Sequence, residues 1–144
     1  MILDVRSRQR LAGVHPDLVE VVHKCAEITD ITFCITEGVR TIDRQKKLIA
    51  AGASQTMRSR HLTGHAIDFA AMVDFDGDGD LEIRWDWPLY KRIADKMKEA
   101  AKSLDITIEW GGDWKNFKDG PHIQLPWKKY PEDSSGGSTK KENS

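Results

Sequence analysis

The sequence predicts an α+β domain in which a small, mainly antiparallel sheet packs against helices. Three observations predict it. The chain has 144 residues, which suits one compact domain with a core of its own. Apolar residues recur at helical spacing in two segments and alternate at strand spacing in others. The predicted strands and helices do not follow the regular β-α-β alternation that is typical of a parallel sheet.

The first half of the chain predicts two helices and a strand. Residues 1–14 form a polar, Arg-rich lead-in. Pro16 opens the first helix, because proline suits the first helical position. The buried stripe of this helix consists of Leu18, Val21, Val22, Cys25 and Ile28. Apolar and polar residues alternate over 31–37, which predicts a strand. Thr41 then caps a short helix that runs through Ile49.

The second half predicts three strands and one long helix. Residues 66–70 form a short buried strand, and an acidic loop follows at 74–86. Pro88 starts the second long helix. One face of this helix carries Leu89, Ile93, Met97, Ala100, Ala101 and Leu104. Residues 106–110 and 121–125 are the last two predicted strands.

Domain limits and cellular context follow from composition. We expect a catalytic domain at 1–130 and a flexible tail at 131–144, because the tail is polar and has nothing to bury. With 22 basic and 23 acidic side chains, the chain has no basic excess for binding nucleic acid or a membrane surface. We find neither a secretory signal nor an apolar run of about 18 residues, so we expect cytoplasmic synthesis. Cys25 and Cys34 lie in apolar stretches and are predicted to be buried free thiols.

Two histidines and an aspartate are the strongest chemical signal. His61 lies in a polar segment, whereas Asp68 lies between apolar neighbours, where a carboxylate needs a partner or a metal. His122 is a third candidate further along the chain. Two imidazoles and one carboxylate are a donor set that catalytic zinc takes, with a fourth position left for water. From spacing alone, a hydrogen-bonded structural pair explains His61 and Asp68 equally well.

The motifs together resemble the M15 family of zinc peptidases, and most closely its phage endolysin L-alanyl-D-glutamate endopeptidases. The resemblance covers residues 7–125. Its motifs are Ser59-x-His61-x-x-Gly64-x-Ala66-x-Asp68, the element Trp110-Gly111-Gly112-Asp113-Trp114, Asp119-x-x-His122 and, upstream, Gly38-Val39-Arg40-Thr41. It implies a fold like that of Hedgehog and the D,D-peptidases.

The resemblance also implies roles for individual residues. His61, Asp68 and His122 are the implied zinc ligands. Asp119 matches the general acid/base, which accepts a proton from water and delivers it to the leaving amine. Arg40 matches the arginine that binds the scissile carbonyl oxygen and stabilises the developing negative charge. Without the resemblance, an exposed loop arginine and a turn aspartate explain these last two residues equally well.

Further residues are expected around the substrate. Ser59 and Gln45 resemble supporting residues near the substrate and the metal, and we place both in the substrate-binding group. Trp110 and Trp114 flank the Gly-Gly turn near the predicted site, where we expect them to line the cleft rather than the core. Gly120 departs from some relatives of the fold, which carry a second histidine there, so proton transfer falls to Asp119 alone.

The acidic loop has two interpretations. Acidic side chains at alternating positions resemble a calcium loop: Asp74, Asp76, Asp78, Asp80 and Glu82. Counted from Asp74, however, the position of the bidentate glutamate of an EF-hand is occupied by Trp85. The loop is therefore either a looser calcium site that is ordered beside the active site or a solvated acidic turn.

The sequence thus predicts a zinc-dependent peptidoglycan hydrolase that cleaves the L-alanyl-D-glutamate bond as a phage endolysin. A D,D-carboxypeptidase is the first alternative, although we identify no cation for a free C-terminal carboxylate. A non-catalytic, zinc-containing wall-binding module is the second. We expect a monomer that binds peptidoglycan and neither nucleic acid nor, stably, a membrane. Made in the host cytoplasm, it would depend on a holin-like partner to reach the wall.

Overall fold

The computed structural model describes residues 1–54 and 56–131, which contain four α-helices and five β-strands. The helices are α1 (Val5–Arg10), α2 (Pro16–Ile28), α3 (Ile42–Ala50) and α4 (Trp87–Ser103). The strands are β1 (Thr32–Glu37), β2 (Ala66–Val73), β3 (Glu82–Arg84), β4 (Glu109–Trp110) and β5 (His122–Gln124). The 3-10 turns are Arg60–Thr63 and Gly111–Asp113. Apart from its first residue, the predicted tail at 131–144 lies outside the described residues.

All strand pairs in the sheet are antiparallel, which confirms the α+β prediction. The strand order is β1-β2-β5-β4, and β3 pairs with the second half of β2. Asp68 on β2 lies opposite His122 on β5 and, across a bulge in β1, opposite Glu37. Strand register therefore aligns three ionisable side chains across the middle of the sheet.

The pleat of the sheet separates the core from this polar row. Ile67, Phe69 and Ile123 lie on the face that packs into the main hydrophobic core, where α2 and α4 also contact each other. Successive side chains in a strand point to opposite faces, so Asp68 and His122 lie on the other face. The same strands thus supply both the core and the candidate site.

Three elements differ from the prediction. The lead-in contains α1, which is capped by Asp4 and held to β1 by the Ser7 hydroxyl, which accepts from the Ile35 amide at 2.8 Å. The predicted loop at 74–86 contains β3, and the strand predicted at 106–110 is reduced to β4. Both cysteines are free and buried, as predicted. Within residues 1–54 and 56–131, no helix has the length and apolar character needed to cross a bilayer.

Residues 125–130, which follow β5, stabilise the loop that carries His61. Arg60 is buried, and its Nε donates to the Leu125 carbonyl at 3.1 Å. The Arg60 guanidinium also lies over the Trp127 ring, 4.3 Å from its centroid. At the end of this segment, the Tyr130 hydroxyl donates to an Asp17 carboxylate oxygen at 2.6 Å. Packing of the domain therefore extends to residue 130.

Candidate active site

The structure brings the three predicted ligands together. One carboxylate oxygen of Asp68 lies 3.2 Å from His61 Nε2 and 3.3 Å from His122 Nδ1. The three donor atoms all lie within 4.8 Å of one another. Both imidazoles are buried, whereas Asp68 is partly exposed. Two ring nitrogens and a carboxylate oxygen that converge in this way fit a divalent metal of the zinc type.

Local backbone geometry explains how His61 reaches this position. The Ser59 hydroxyl caps the 3-10 turn by accepting from the His61 amide. Gly64 ends the turn with φ 79°, and a Cβ there would lie 2.5 Å from the Gly13 carbonyl oxygen, so only glycine fits. On the far side of the ring, His61 Nδ1 lies 2.8 Å from the Gly38 carbonyl oxygen. That contact directs Nε2 towards Asp68.

Arg40 is held rigidly beside the cluster. Its Nε and Nη2 donate to the two carboxylate oxygens of Glu37 at 3.0 and 2.8 Å, a bidentate pair. Nη1 donates to Gln45 Oε1 at 2.7 Å and lies 3.4 Å from the Ser59 hydroxyl. Nη2 lies 3.6 Å from the second carboxylate oxygen of Asp68. The guanidinium therefore adds a fixed positive charge at the edge of the candidate metal site.

Asp119 faces the same cluster from the turn before β5. A Cβ at Gly111 would lie 2.4 Å from the Asp119 carbonyl oxygen, so the glycine permits the close approach of the two turns. Burial raises the pKa of Asp119, and the negative charge of Asp68 raises it further, against opposing effects of His122. A carboxyl with a raised pKa is suited to accept and then donate a proton near neutral pH.

The pKa of Asp68 is shifted in the opposite direction, downwards. Burial by itself raises the pKa of Asp68, but hydrogen bonds and positive charge from His122 and His61 outweigh it and hold the pKa well below its usual range. Conversely, burial lowers the pKa of His122, and the Asp68 carboxylate more than compensates and raises it. The two carboxyls of the site therefore differ: the pKa of Asp68 is lowered and that of Asp119 is raised.

The comparisons with known proteins agree with this geometry. Residues 1–125 match the family model of the phage L-alanyl-D-glutamate peptidases. The chain belongs to this family. It is 45% identical to a solved structure, the Serratia marcescens L-Ala D-Glu endopeptidase ChiX, with a TM-score of 0.80 over 88% of this chain and 91% of that one.

Two phage relatives extend the family match. The L-alanyl-D-glutamate peptidase of Listeria phage A118 is 39% identical over 120 residues, which cover 83% of this chain but only 39% of the relative. That of Escherichia phage T5 is 31% identical over 134 residues, 83% of this chain and 93% of the relative. The chain thus spans well under half of the Listeria phage protein.

The structure corrects the expected substrate contacts of Gln45. This side chain is fully buried, and its amide nitrogen donates to the Ser54 hydroxyl and to the Thr56 carbonyl. Its carbonyl oxygen accepts from Arg40. Because every polar atom of the amide is engaged inside the protein, Gln45 positions Arg40 and does not contact substrate. Ser59 is partly buried beside Arg40, which agrees with a supporting place in the site.

Trp110 also differs from the expectation that it lines the cleft. It is 3% exposed, and its indole donates to the Gly120 carbonyl at 2.7 Å. Trp110 therefore stabilises the turn before β5 from the buried side. Trp114 is partly exposed, with its ring 5.1 Å from that of His122, so its place in the cleft stays a prediction. The sequence analysis did not place Trp87 near the site. This residue is 45% exposed and packs on Gly120, where a Cβ would lie 3.2 Å from the indole. The Trp87 ring therefore occupies the space beside position 120.

Two partner residues were missed as well. Glu37 ends a predicted strand and lies three residues before Arg40. This spacing of an acidic and a basic residue was the one sequence signal for their ion pair. Gln124 follows His122 at the spacing of side chains on one face of a strand, and its Oε1 lies 2.8 Å from His122 Nε2. Neither residue belongs to a motif of the resemblance.

The acidic loop folds into a compact, exposed turn. Carboxylate oxygens of Asp74, Asp76 and Asp78 lie within 4.8 Å of one another, and each accepts from a backbone amide of the loop. Among the described residues, Asp80 and Glu82 do not join this group. Three of the five predicted calcium-binding side chains therefore converge.

Proposed function

We propose that this chain is a zinc peptidase that hydrolyses the L-alanyl-D-glutamate bond of the peptidoglycan stem peptide, and that it acts as a phage endolysin. The observation that carries the proposal is the convergence of His61, Asp68 and His122 beside Arg40 and Asp119. This constellation occurs in a member of a family named for that bond. Relatives from two phages carry the same name.

The donor set supports zinc as the metal. His61 and His122 would provide imidazole nitrogens and Asp68 a carboxylate oxygen, a set of three that leaves one tetrahedral position open. Bound zinc would act as a Lewis acid that polarises the scissile carbonyl and lowers the pKa of water. The metal-free protein should not hydrolyse peptidoglycan, and metal analysis of the active protein should find one zinc per chain.

The residues of the chain itself supply the remaining chemistry. Arg40 Nη1 and Nη2 each carry an N–H that is only weakly engaged, at 3.4 and 3.6 Å from its neighbours. These donors are available to the carbonyl oxygen as negative charge develops on it. Asp119 accepts the proton of the attacking water and delivers it to the leaving amine of D-glutamate.

Product mapping tests the assignment. Purified peptidoglycan is incubated with the protein, and the new termini are identified by mass spectrometry. We expect L-alanine carboxyl termini and D-glutamate amino termini. Free D-alanine as the only product would overturn the endopeptidase in favour of a D,D-carboxypeptidase. Sedimentation with the wall without any new terminus would identify a non-catalytic binding module.

The Asp119→Asn variant tests the mechanism, because the amide cannot accept the proton of water. We expect turnover to fall about 10²–10⁴-fold, while zinc content and unfolding temperature remain those of the wild type. Asp95→Asn, on the exposed side of α4, is the matched control and should retain full turnover. Hydrolysis by Asp119→Asn at the wild-type rate would refute the assigned role.

Calcium binding by the acidic loop stays a prediction. Asp74, Asp76 and Asp78 provide three converging carboxylates, but all three are exposed and are equally suited to solvation. Calorimetric titration of the zinc-loaded protein with calcium tests it. Absence of heat at millimolar calcium, together with unchanged activity, would refute the calcium interpretation.

We also propose that the protein is a monomer, that it is made in the host cytoplasm and that a holin-like partner admits it to the wall. His61, Asp68 and His122 converge beside Arg40 and Glu37 within one chain, so this arrangement needs no residue of a second copy. Sedimentation equilibrium tests the monomer. Expression in a host with and without a pore-forming protein tests access: lysis without the pore would refute holin dependence.

A further inference from the structure

A chain of hydrogen bonds continues from His122 across two strands, away from the candidate metal site. His122 Nε2 lies 2.8 Å from Gln124 Oε1, and Gln124 Nε2 donates to Glu109 Oε1 at 2.9 Å. Strand register produces this arrangement. His122 and Gln124 lie two residues apart on β5 and share a face, and Glu109 on β4 pairs with Gln124.

The chemistry of the groups fixes the direction of these bonds. The Glu109 carboxylate only accepts, so the amide NH₂ of Gln124 faces it. The amide oxygen of Gln124 therefore faces His122 and accepts a proton from Nε2. When a metal is bound the imidazole is neutral, so the proton stays on Nε2 and the lone pair of Nδ1 is left for the metal. Nδ1 is the nitrogen that faces Asp68, at 3.3 Å.

His61 is oriented in the opposite way. Its Nδ1 faces the Gly38 carbonyl oxygen, which only accepts, so Nδ1 carries the proton, and in the neutral ring Nε2 would offer its lone pair to a metal bound beside Asp68. The two histidines thus present different ring nitrogens to the same point. The partner of His61 is backbone, whereas that of His122 consists of side chains and can be removed by substitution.

We propose that Gln124 and Glu109 are positioning residues that fix the tautomer and ring orientation of His122, so that Nδ1 is the metal-binding nitrogen. This inference rests on the proposed metal-dependent function. Outer partners of this kind typically contribute about 10–100-fold to metal affinity or activity, because they hold the ligand in its binding geometry.

Two measurements on the full chain separate positioning from mere packing. The first is zinc affinity, by competition with a chromophoric chelator. The second is the ring ¹H–¹⁵N spectrum of the zinc-loaded protein. In the wild type we expect His122 to show a metal-bound Nδ1 and a slowly exchanging proton on Nε2.

The variants remove one member at a time of the hydrogen-bonded series His122–Gln124–Glu109, which we call the relay. Gln124→Met keeps the length of the side chain but removes its amide, and should weaken zinc about 10–100-fold and abolish the protected Nε2 proton signal. Glu109→Leu should weaken zinc less, because the amide oxygen remains. Glu109→Gln, which still offers an oxygen to the Gln124 amide, should restore affinity to within about threefold of wild type. Gln9→Met, on the exposed face of α1, is the matched control.

The outcomes distinguish the two proposals. If the wild type binds no zinc, the proposed function fails and the relay fails with it. If the wild type binds zinc through Nε2 of His122, or if Gln124→Met retains both affinity and the Nε2 signal, the relay is refuted and the proposed function stands. Should Gln124→Met not fold, the zinc affinity of Glu109→Leu decides, because the Glu109 side chain lies at a partly exposed position: unchanged affinity would refute the relay.

Discussion

His65 makes the stability of this protein dependent on pH. The side chain is 1% exposed in the loop before β2, with Nδ1 2.6 Å from the Thr63 hydroxyl. Burial lowers the pKa of His65 to about 4, and the positive charges of Arg60 and His15 contribute. Histidine in an unfolded chain has a pKa near 6.5, so the unfolded state binds more protons between these two values. As far as His65 is concerned, the free energy of unfolding is therefore highest above pH 6.5 and falls as the pH decreases towards 4.

The magnitude follows from the shift. Each pKa unit corresponds to about 1.4 kcal/mol, so burial of neutral His65 costs the folded state about 2 kcal/mol at pH 5 and about 3 kcal/mol at pH 4, relative to pH 7. Other groups also titrate in this range. The contribution of His65 is therefore the difference in pH dependence between the wild type and His65→Gln.

The assay is urea unfolding at a series of pH values from 7.5 to 4.5, in the presence of a chelator so that metal binding does not contribute. His65→Gln should be less stable at neutral pH but should lose about 2 kcal/mol less than the wild type between pH 7 and pH 5. His23→Gln, on the exposed side of α2, controls for removal of a histidine. Parallel pH profiles for wild type and His65→Gln would refute the reasoning.

Three further predictions concern the site and its supports. Gly64→Ala places a Cβ 2.5 Å from a carbonyl oxygen at φ 79° and should cost about 3 kcal/mol in thermal unfolding, whereas Gly52→Ala, with the same φ in open space, should cost only about 1 kcal/mol. Equal costs would contradict the steric argument. Glu37→Gln weakens the bidentate pair with Arg40 and should lower kcat about tenfold with little change in KM, while exposed Asp43→Asn should leave both constants unchanged. Chelation should abolish activity and lower the unfolding temperature, zinc should restore both, and retention of activity in a strong chelator would exclude a metal-dependent reaction.

Long periodic segments made much of the fold predictable. The apolar stripes predicted α2 and α4, and Pro16 and Pro88 placed their starts to within one residue of those observed. In contrast, α1 has six residues, fewer than two turns, and depends on the tertiary bond from Ile35 to Ser7, which no local pattern encodes. Strand β3 is exposed and is defined by pairing with β2 rather than by its own composition.

The candidate site was predictable where chemistry alone identifies a residue, and not where register decides. A carboxylate between apolar neighbours marked Asp68. The burial of Trp110 follows from its pairing with Ile123, whose side chain is in the core, and this pairing is invisible before the strands are aligned. Glu109, one residue earlier, faces the opposite side and meets Gln124 for the same reason.

The alternation along β5 limits how the family can change its length. In three residues, this strand directs His122 to the site, Ile123 to the core and Gln124 back to the site. One inserted or deleted residue here would exchange the two faces, which would remove His122 from the candidate site and Ile123 from the core. The exposed loop at 74–81 carries no such constraint. We therefore expect natural length variation among relatives, and tolerance of inserted peptides, to fall in that loop and not between Asp119 and Gln124.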